Sequence, residues 1–149
     1  MKKCCVFIVM LALGFGTLAE ELAIPLSASA EGASVYILEP ADGAVVPATF
    51  MVKFGLHGMG VAPAGMEKVN TGHHHLLVDV AELPSLDLPL GGEVKHFGGG
   101  QTETELTLAP GTHTLQLIFA DHRHIPHNPP LLSQKITITV LDESSKQDQ

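Results

Sequence analysis

Nine histidines stand out in a chain of 149 residues that has eight lysines and arginines and no tryptophan: His57, His73, His74, His75, His96, His113, His122, His124 and His127. A neutral imidazole is a ligand for copper, zinc, nickel and iron. Most of the nine are grouped rather than scattered. One group is Gly72-His-His-His-Leu-Leu-Val-Asp79, and the other is Asp121-His-Arg-His-Ile-Pro-His127. If His73 to Val80 is a strand, side chains alternate between its faces. His74, Leu76, Val78 and Val80 then form an apolar face, and His74 is a packed residue. His73, His75, Leu77 and Asp79 share the other face, where two imidazoles about 6.6–6.8 Å apart at Cα can converge on one ion. His122 and His124 repeat the same spacing, and Pro126 stiffens the chain before His127.

These patterns nominate His73, His75, His122, His124 and His127 as ligands of copper, zinc or another divalent metal. His57 and His96 are weaker candidates. So are Met59 and Met66, whose thioethers would favour copper(I). Asp79 and Asp121 are placed to orient an imidazole through its second nitrogen. His113 shares the phase of Leu115 and Leu117 and reads as structural. The glycine-rich run His96-Phe-Gly-Gly-Gly-Gln-Thr-Glu103 precedes a strand rather than a helix, so it offers no helix N-terminus to a phosphate. No serine lies in a nucleophile elbow, and no organic cofactor is expected.

The elements that must position these residues repeat with period two. Strands are expected at Ser34–Leu38, Thr49–Gly55, His73–Val80, Gln101–Leu108, Thr112–Ala120 and Lys135–Leu141, with a short seventh around Val94–Phe97. Phe50, Val52 and Phe54 share a face, as do Leu115, Leu117 and Phe119, and Ile136, Ile138 and Val140. About seven short strands, frequent turn residues and no helical period predict an all-β fold, an immunoglobulin-like antiparallel β-sandwich, with a barrel as the alternative. The two long connections, Leu56–Gly72 and Asp121–Gln134, are expected as loops that carry or flank histidines.

The ends read as an export signal and two tails. Lys2 and Lys3 precede an apolar run of 12 residues, Cys4–Phe15, and small residues follow up to Ala19. This is a secretory signal layout, and the run is shorter than the roughly 20 residues of a membrane-spanning helix. The expected division is a signal over 1–19, a disordered leader over 20–32, the domain over 33–142 and a disordered tail over 143–149. Cleavage after Ala30 is the alternative to Ala19. Either cut removes Cys4 and Cys5, so a mature metal site would contain no thiolate. Losing Lys2 and Lys3 leaves six basic against 16 acidic residues, a charge of −10 with neutral histidines. Such a chain repels phosphate backbones, which excludes nucleic acid as a natural partner. The expected location is periplasmic or secreted, with no transmembrane segment in the mature chain.

The motifs Gly72-His-His-His-Leu-Leu-Val-Asp79, His96-Phe-Gly-Gly-Gly-Gln-Thr-Glu103, Pro110-Gly-Thr-His-Thr-Leu-Gln-Leu117 and Asp121-His-Arg-His-Ile-Pro-His127 resemble a family of short exported bacterial proteins known as a domain of unknown function. The resemblance covers roughly Val46–Val140. It implies an exported β-domain with a histidine set and no particular activity. In fold and H-x-H usage the chain also resembles periplasmic copper-binding sandwiches and copper/zinc superoxide dismutase, analogies that do not fix function.

Three functions compete at this level. The first is metal binding, as a copper chaperone or scavenger that meets a periplasmic protein partner. The second is an immunoglobulin-like interaction or accessory module whose histidines are structural. The third is a metalloenzyme, less favoured, because it needs an open coordination position and a placed acid or base.

Overall fold

A computed structural model describes residues 24–142, and the expected signal and C-terminal tail lie outside the described residues. Ten strands follow in order: β1 Ser34–Glu39, β2 Val45–Val46, β3 Thr49–His57, β4 Gly60–Val61, β5 Thr71–Val78, β6 Lys95–His96, β7 Glu103–Thr107, β8 Gly111–Ala120, β9 Pro126–Leu132 and β10 Ile136–Val140. They form two sheets. One is β1-β3-β7; the other runs β2-β10-β8-β5-β4, with β6 added to β5 and β9 to β8. Assigning β1, β3 and β7 to immunoglobulin strands A, B and E, and β5, β8 and β10 to C, F and G, reproduces the order of that sandwich. β2 pairs parallel to β10 at the far edge.

Alternation places the core between the sheets. Phe50, Val52 and Phe54 from β3 and Leu106 from β7 meet Leu76, Leu115, Leu117, Phe119, Ile136 and Ile138 from the opposite sheet. Full burial of one such side chain contributes about 1.5–3 kcal/mol. Tyr36, on the outer face of β1, lies across Gly55, where any added Cβ would stand 2.1 Å from the ring.

β5 departs from a simple inside-out strand, because both of its faces are covered. Leu76 faces the main core, while Leu77 packs with Val94 and Ile118 in a second cluster flanked by Val80, Leu90 and Leu132. Six consecutive residues of β5, Gly72–Leu77, are therefore buried. The strand ends two residues earlier than expected, at Val78, because Asp79 takes a left-handed backbone (φ 57°). Its carboxylate accepts from His113 Nδ1 at 2.6 Å and from the Thr114 amide at 2.8 Å.

Two further expectations need correction. Asp121–Gln134 is not one long loop: a tight turn over Asp121–Ile125 leads into β9. Pro126, Pro129 and Pro130 hide that strand from a sequence reading, because proline donates nothing to a ladder. β9 accordingly pairs with β8 only at its ends, Pro126 opposite Ala120 and Leu131 and Leu132 opposite Phe119 and Ile118. The stretch expected as a disordered leader is ordered where the structure describes it. Ser29 N donates to Asn128 O at 3.2 Å, and Asn128 N donates to Ser27 O at 2.9 Å. Residues 27–29 thus run alongside the start of β9.

Candidate metal centre

The site starts from strand register. His73 and His75 lie opposite Ala120 and Ile118 of β8, on the face turned away from the main core. On the other edge of β5, His75 pairs with His96 of β6. His124 comes from the Asp121–Ile125 turn that follows β8. That turn is closed by Asp121 N donating to Ile125 O and His124 N donating to Asp121 O, each at 2.9 Å. Neighbouring segments hold its outside, with Gly65 N on His122 O and Leu90 N on His124 O, both at 2.9 Å.

Four imidazoles consequently meet. The ring centroids of His73 lie 4.6 Å from His75, 5.0 Å from His96 and 5.0 Å from His124. His75 lies 5.2 Å from His96 and 5.9 Å from His124, and His96 lies 4.7 Å from His124. Four rings each bound through one nitrogen to a tetrahedral ion at about 2.0–2.1 Å would have centroids about 5 Å apart. One nitrogen each of His73, His96 and His124 already falls within 4.8 Å of the other two. The Nε2 atoms of His96 and His124 are 3.1 Å apart. His75 is in ring contact with all three, but its nitrogens lie outside that set.

The floor of the site is buried and its mouth is open. His73 and His75 are 0% and 1% exposed, and their four ring nitrogens have no hydrogen-bond partner. His96 is exposed and His124 half-buried. Burial holds the pKa of His73 down at about 4, helped by the charges of His124 and His96 and opposed by Asp121. Burial first, then His73, His96 and His124, brings His75 to about 3. His96 is also lowered, by burial and by His124. The buried pair is therefore neutral at physiological pH, the state in which imidazole binds metal.

Burial without partners is not sufficient evidence by itself, as His74 demonstrates. It points into the main core, 5.1 Å from both Phe54 and Phe119, and burial lowers its pKa to about 4. No other histidine approaches it there, so it packs as expected and converges on nothing. What distinguishes His73 and His75 is ring contact with two more imidazoles.

The remaining candidates lie elsewhere. His127 is 2% exposed and stacked on Phe119, with its nitrogens facing Phe119 O at 3.4 Å and Thr71 O at 3.3 Å. His122 lines a separate cavity of about 310 Å³ together with Lys68, Asn70 and Thr71. His57 is exposed at the end of β3, paired with Ser34 of β1 in the three-stranded sheet that does not carry the cluster. Met59 packs against the main core and Met66 is 54% exposed. Neither aspartate accepts from a clustered ring. Asp79 binds His113, whose other nitrogen faces Ala109 O at 2.8 Å, and Asp121 binds the turn itself.

In the sequence His96 is a weaker candidate and stands apart from both histidine groups, followed by Phe97 and three glycines. The glycines were the missed signal. A Cβ on Gly98 would stand 2.3 Å from His96 Cε1, so a bare backbone there makes room for the ring.

No helix among the described residues is long and apolar enough to cross a membrane. No curated protein and no solved structure matches the chain. The model of one family does match, over residues 52–141, a span that includes all four clustered histidines. The chain belongs to that family, the domain of unknown function DUF4399.

Proposed function

We propose that this is an exported metal-binding protein that holds one divalent ion, copper or zinc, on His73, His96 and His124, with His75 as the fourth ligand. One observation carries the reading: three imidazoles from three separate segments bring one nitrogen each within 4.8 Å of the others, a fourth ring lies against them, and the buried ones are neutral and lack partners. Leaving such groups unpaired costs on the order of 1–3 kcal/mol each, and a bound ion would remove that cost.

The donor set narrows the metal. With no thiolate and both candidate methionines, Met59 and Met66, placed elsewhere, all-nitrogen ligation suits copper(II) or zinc(II) better than copper(I). Among divalent ions at equal availability copper binds tightest, whereas near-tetrahedral ring spacing favours zinc. The basic, apolar and small-residue pattern of residues 1–19 supports export to the periplasm or beyond, where a protein could scavenge or pass on such an ion. The open side at His96 suits an exchangeable ion better than a sealed structural one. The deciding experiment is titration of the untagged, chelator-stripped protein with copper(II) and zinc(II), following heat release and melting temperature. The expected result is one ion per chain, with binding lost when His73 and His96 are replaced. An isotherm without saturable binding for either metal overturns the proposal.

A further inference from the structure

His124 reaches the cluster from a turn with an unusual backbone, and the turn is held by a buried carboxylate that touches none of the four rings. His124 sits in the left-handed region (φ 69°), where non-glycine residues persist only when their surroundings impose it. The imposing group is Asp121, 1% exposed. Its Oδ1 accepts from Arg123 N at 2.8 Å and Ile125 N at 3.1 Å, which bracket His124. Its Oδ2 accepts from Arg123 Nε at 3.2 Å, Arg123 Nη2 at 2.9 Å and Ser27 Oγ at 2.7 Å. Arg123 Nη2 also donates to Pro25 O at 2.7 Å. Ser27 is in turn fixed by the backbone pairing of residues 27–29 with Asn128.

We propose that the segment Pro25–Ser29 is a strap of the metal centre, and that Ser27 and Asp121 are positioning residues that aim His124 at His73 and His96. The inference rests on the metal reading. β8 and β9 anchor the two ends of the turn, Gly65 and Leu90 hold its outside, and the strap braces its interior through the Asp121 carboxylate. Without the strap, Asp121 Oδ2 loses its hydroxyl donor and Arg123 loses its carbonyl, so the side chain that bridges them is free to swing. The backbone at His124 then relaxes toward ordinary φ and takes the ring out of the cluster. His73, His75 and His96, which sit on paired strands, stay where they are. The strap therefore controls one ligand of the set and leaves the rest of the site built.

The test compares the wild-type chain with Ser27→Ala, Ser27→Thr and Asp121→Asn. Copper(II) and zinc(II) affinities are measured by chelator competition, and copper(II) spectra by electron paramagnetic resonance. Loss of a supporting group behind a metal ligand weakens binding about 10–100-fold. The expected result is a loss in that range for Asp121→Asn, a smaller loss for Ser27→Ala, and recovery with Ser27→Thr. The copper spectrum should change to that of His124→Ala in the Asp121 variant. His113→Gln, at the far end of β8, serves as a destabilised control and should leave the spectrum unchanged. Unaltered affinity and spectrum in both Ser27→Ala and Asp121→Asn, with a wild-type chain that binds, would overturn the strap alone. A wild-type chain that takes up neither ion overturns the metal reading, and the strap's role with it.

Discussion

The ring of His124 stands edge-on to that of His73, with centroids 5.0 Å apart and planes at 85°. One comes from the middle sheet position β5 and the other from a turn beyond β8, and the antiparallel pairing of His73 with Ala120 is what brings them together. The contact therefore depends on the pairing of β5 with β8.

Metal should stabilise the protein measurably. A ligand at 100 times its dissociation constant adds about 2.7 kcal/mol to the native state. For a domain of this size that raises Tm by about 10 °C. Scanning calorimetry with copper(II) or zinc(II) should show this rise in wild type and in His122→Ala, and none in the His73→Ala, His75→Ala double variant. A full rise in the double variant would remove β5 from the site.

The metal-free protein should weaken in acid. His73 and His74 titrate at about 4 and His75 at about 3 in the native state, below 6.5 for a free imidazole. Between pH 6.5 and about 4 the unfolded chain therefore binds protons that the native chain refuses. Each of these groups makes unfolding about tenfold more favourable per pH unit descended. Urea midpoints should fall steadily from pH 7 to pH 4.5; a flat profile would show that these rings are not buried as neutral groups.

His113 should behave in the opposite sense. Its pKa is raised, chiefly by the hydrogen bond it donates to Asp79 and further by the one it donates to the Ala109 carbonyl. Burial pushes Asp79 upward, but its bonds from His113 and Thr114 outweigh this and leave it below the usual value. The contribution of His113 is full below pH 6.5 and fades as pH rises through its raised native value. An NMR titration should find His113 above 6.5 in wild type and back near it in Asp79→Asn; identical titrations would deny the pair any effect.

Gly98→Ala should separate metal binding from folding. The new Cβ would displace chiefly the tip of the His96 side chain, 2.3 Å away at Cε1, with Ala64 Cβ next at 3.2 Å. The expected outcome is a stripped protein with nearly unchanged Tm and about tenfold weaker metal affinity, in line with disturbing a ligand's support. Gly72→Ala makes the contrast, since its Cβ would stand 2.2 Å from the Ala120 carbonyl between β5 and β8. Overpacking of that kind costs about 1–3 kcal/mol. Equal stability loss in the two variants would contradict this division.

Processing should retain the strap. A cut after Ala19 leaves Pro25 and Ser27 in place, whereas a cut after Ala30 removes both. Intact-mass measurement of the exported chain should give an N-terminus at Glu20, and a mature chain starting at Glu31 would leave Asp121 without Ser27.

Much of the architecture is legible in the residues because burial and alternation are local. Phe50, Val52 and Phe54 on β3, or Ile136, Ile138 and Val140 on β10, announce their faces without reference to any partner. β9 escapes that reading, since its prolines suppress the ladder that defines a strand and pairing survives only at its two ends. The second buried face of β5 escapes it too, because the cover comes from Val94 and Leu90, remote in sequence and joined to it only by packing.

The chain alone determined that paired imidazoles at His73 and His75 would share one side of a strand, since period two leaves no other arrangement. Tertiary structure decided which other histidines join them. His124 points inward and His122 outward because a buried carboxylate shapes one short turn, and His127 is spent on Phe119 and Thr71 carbonyls. His96, alone in its segment, enters because β6 pairs with β5. Spacing along a strand is set by covalent geometry, whereas convergence between segments is set by hydrogen bonds that no single segment contains.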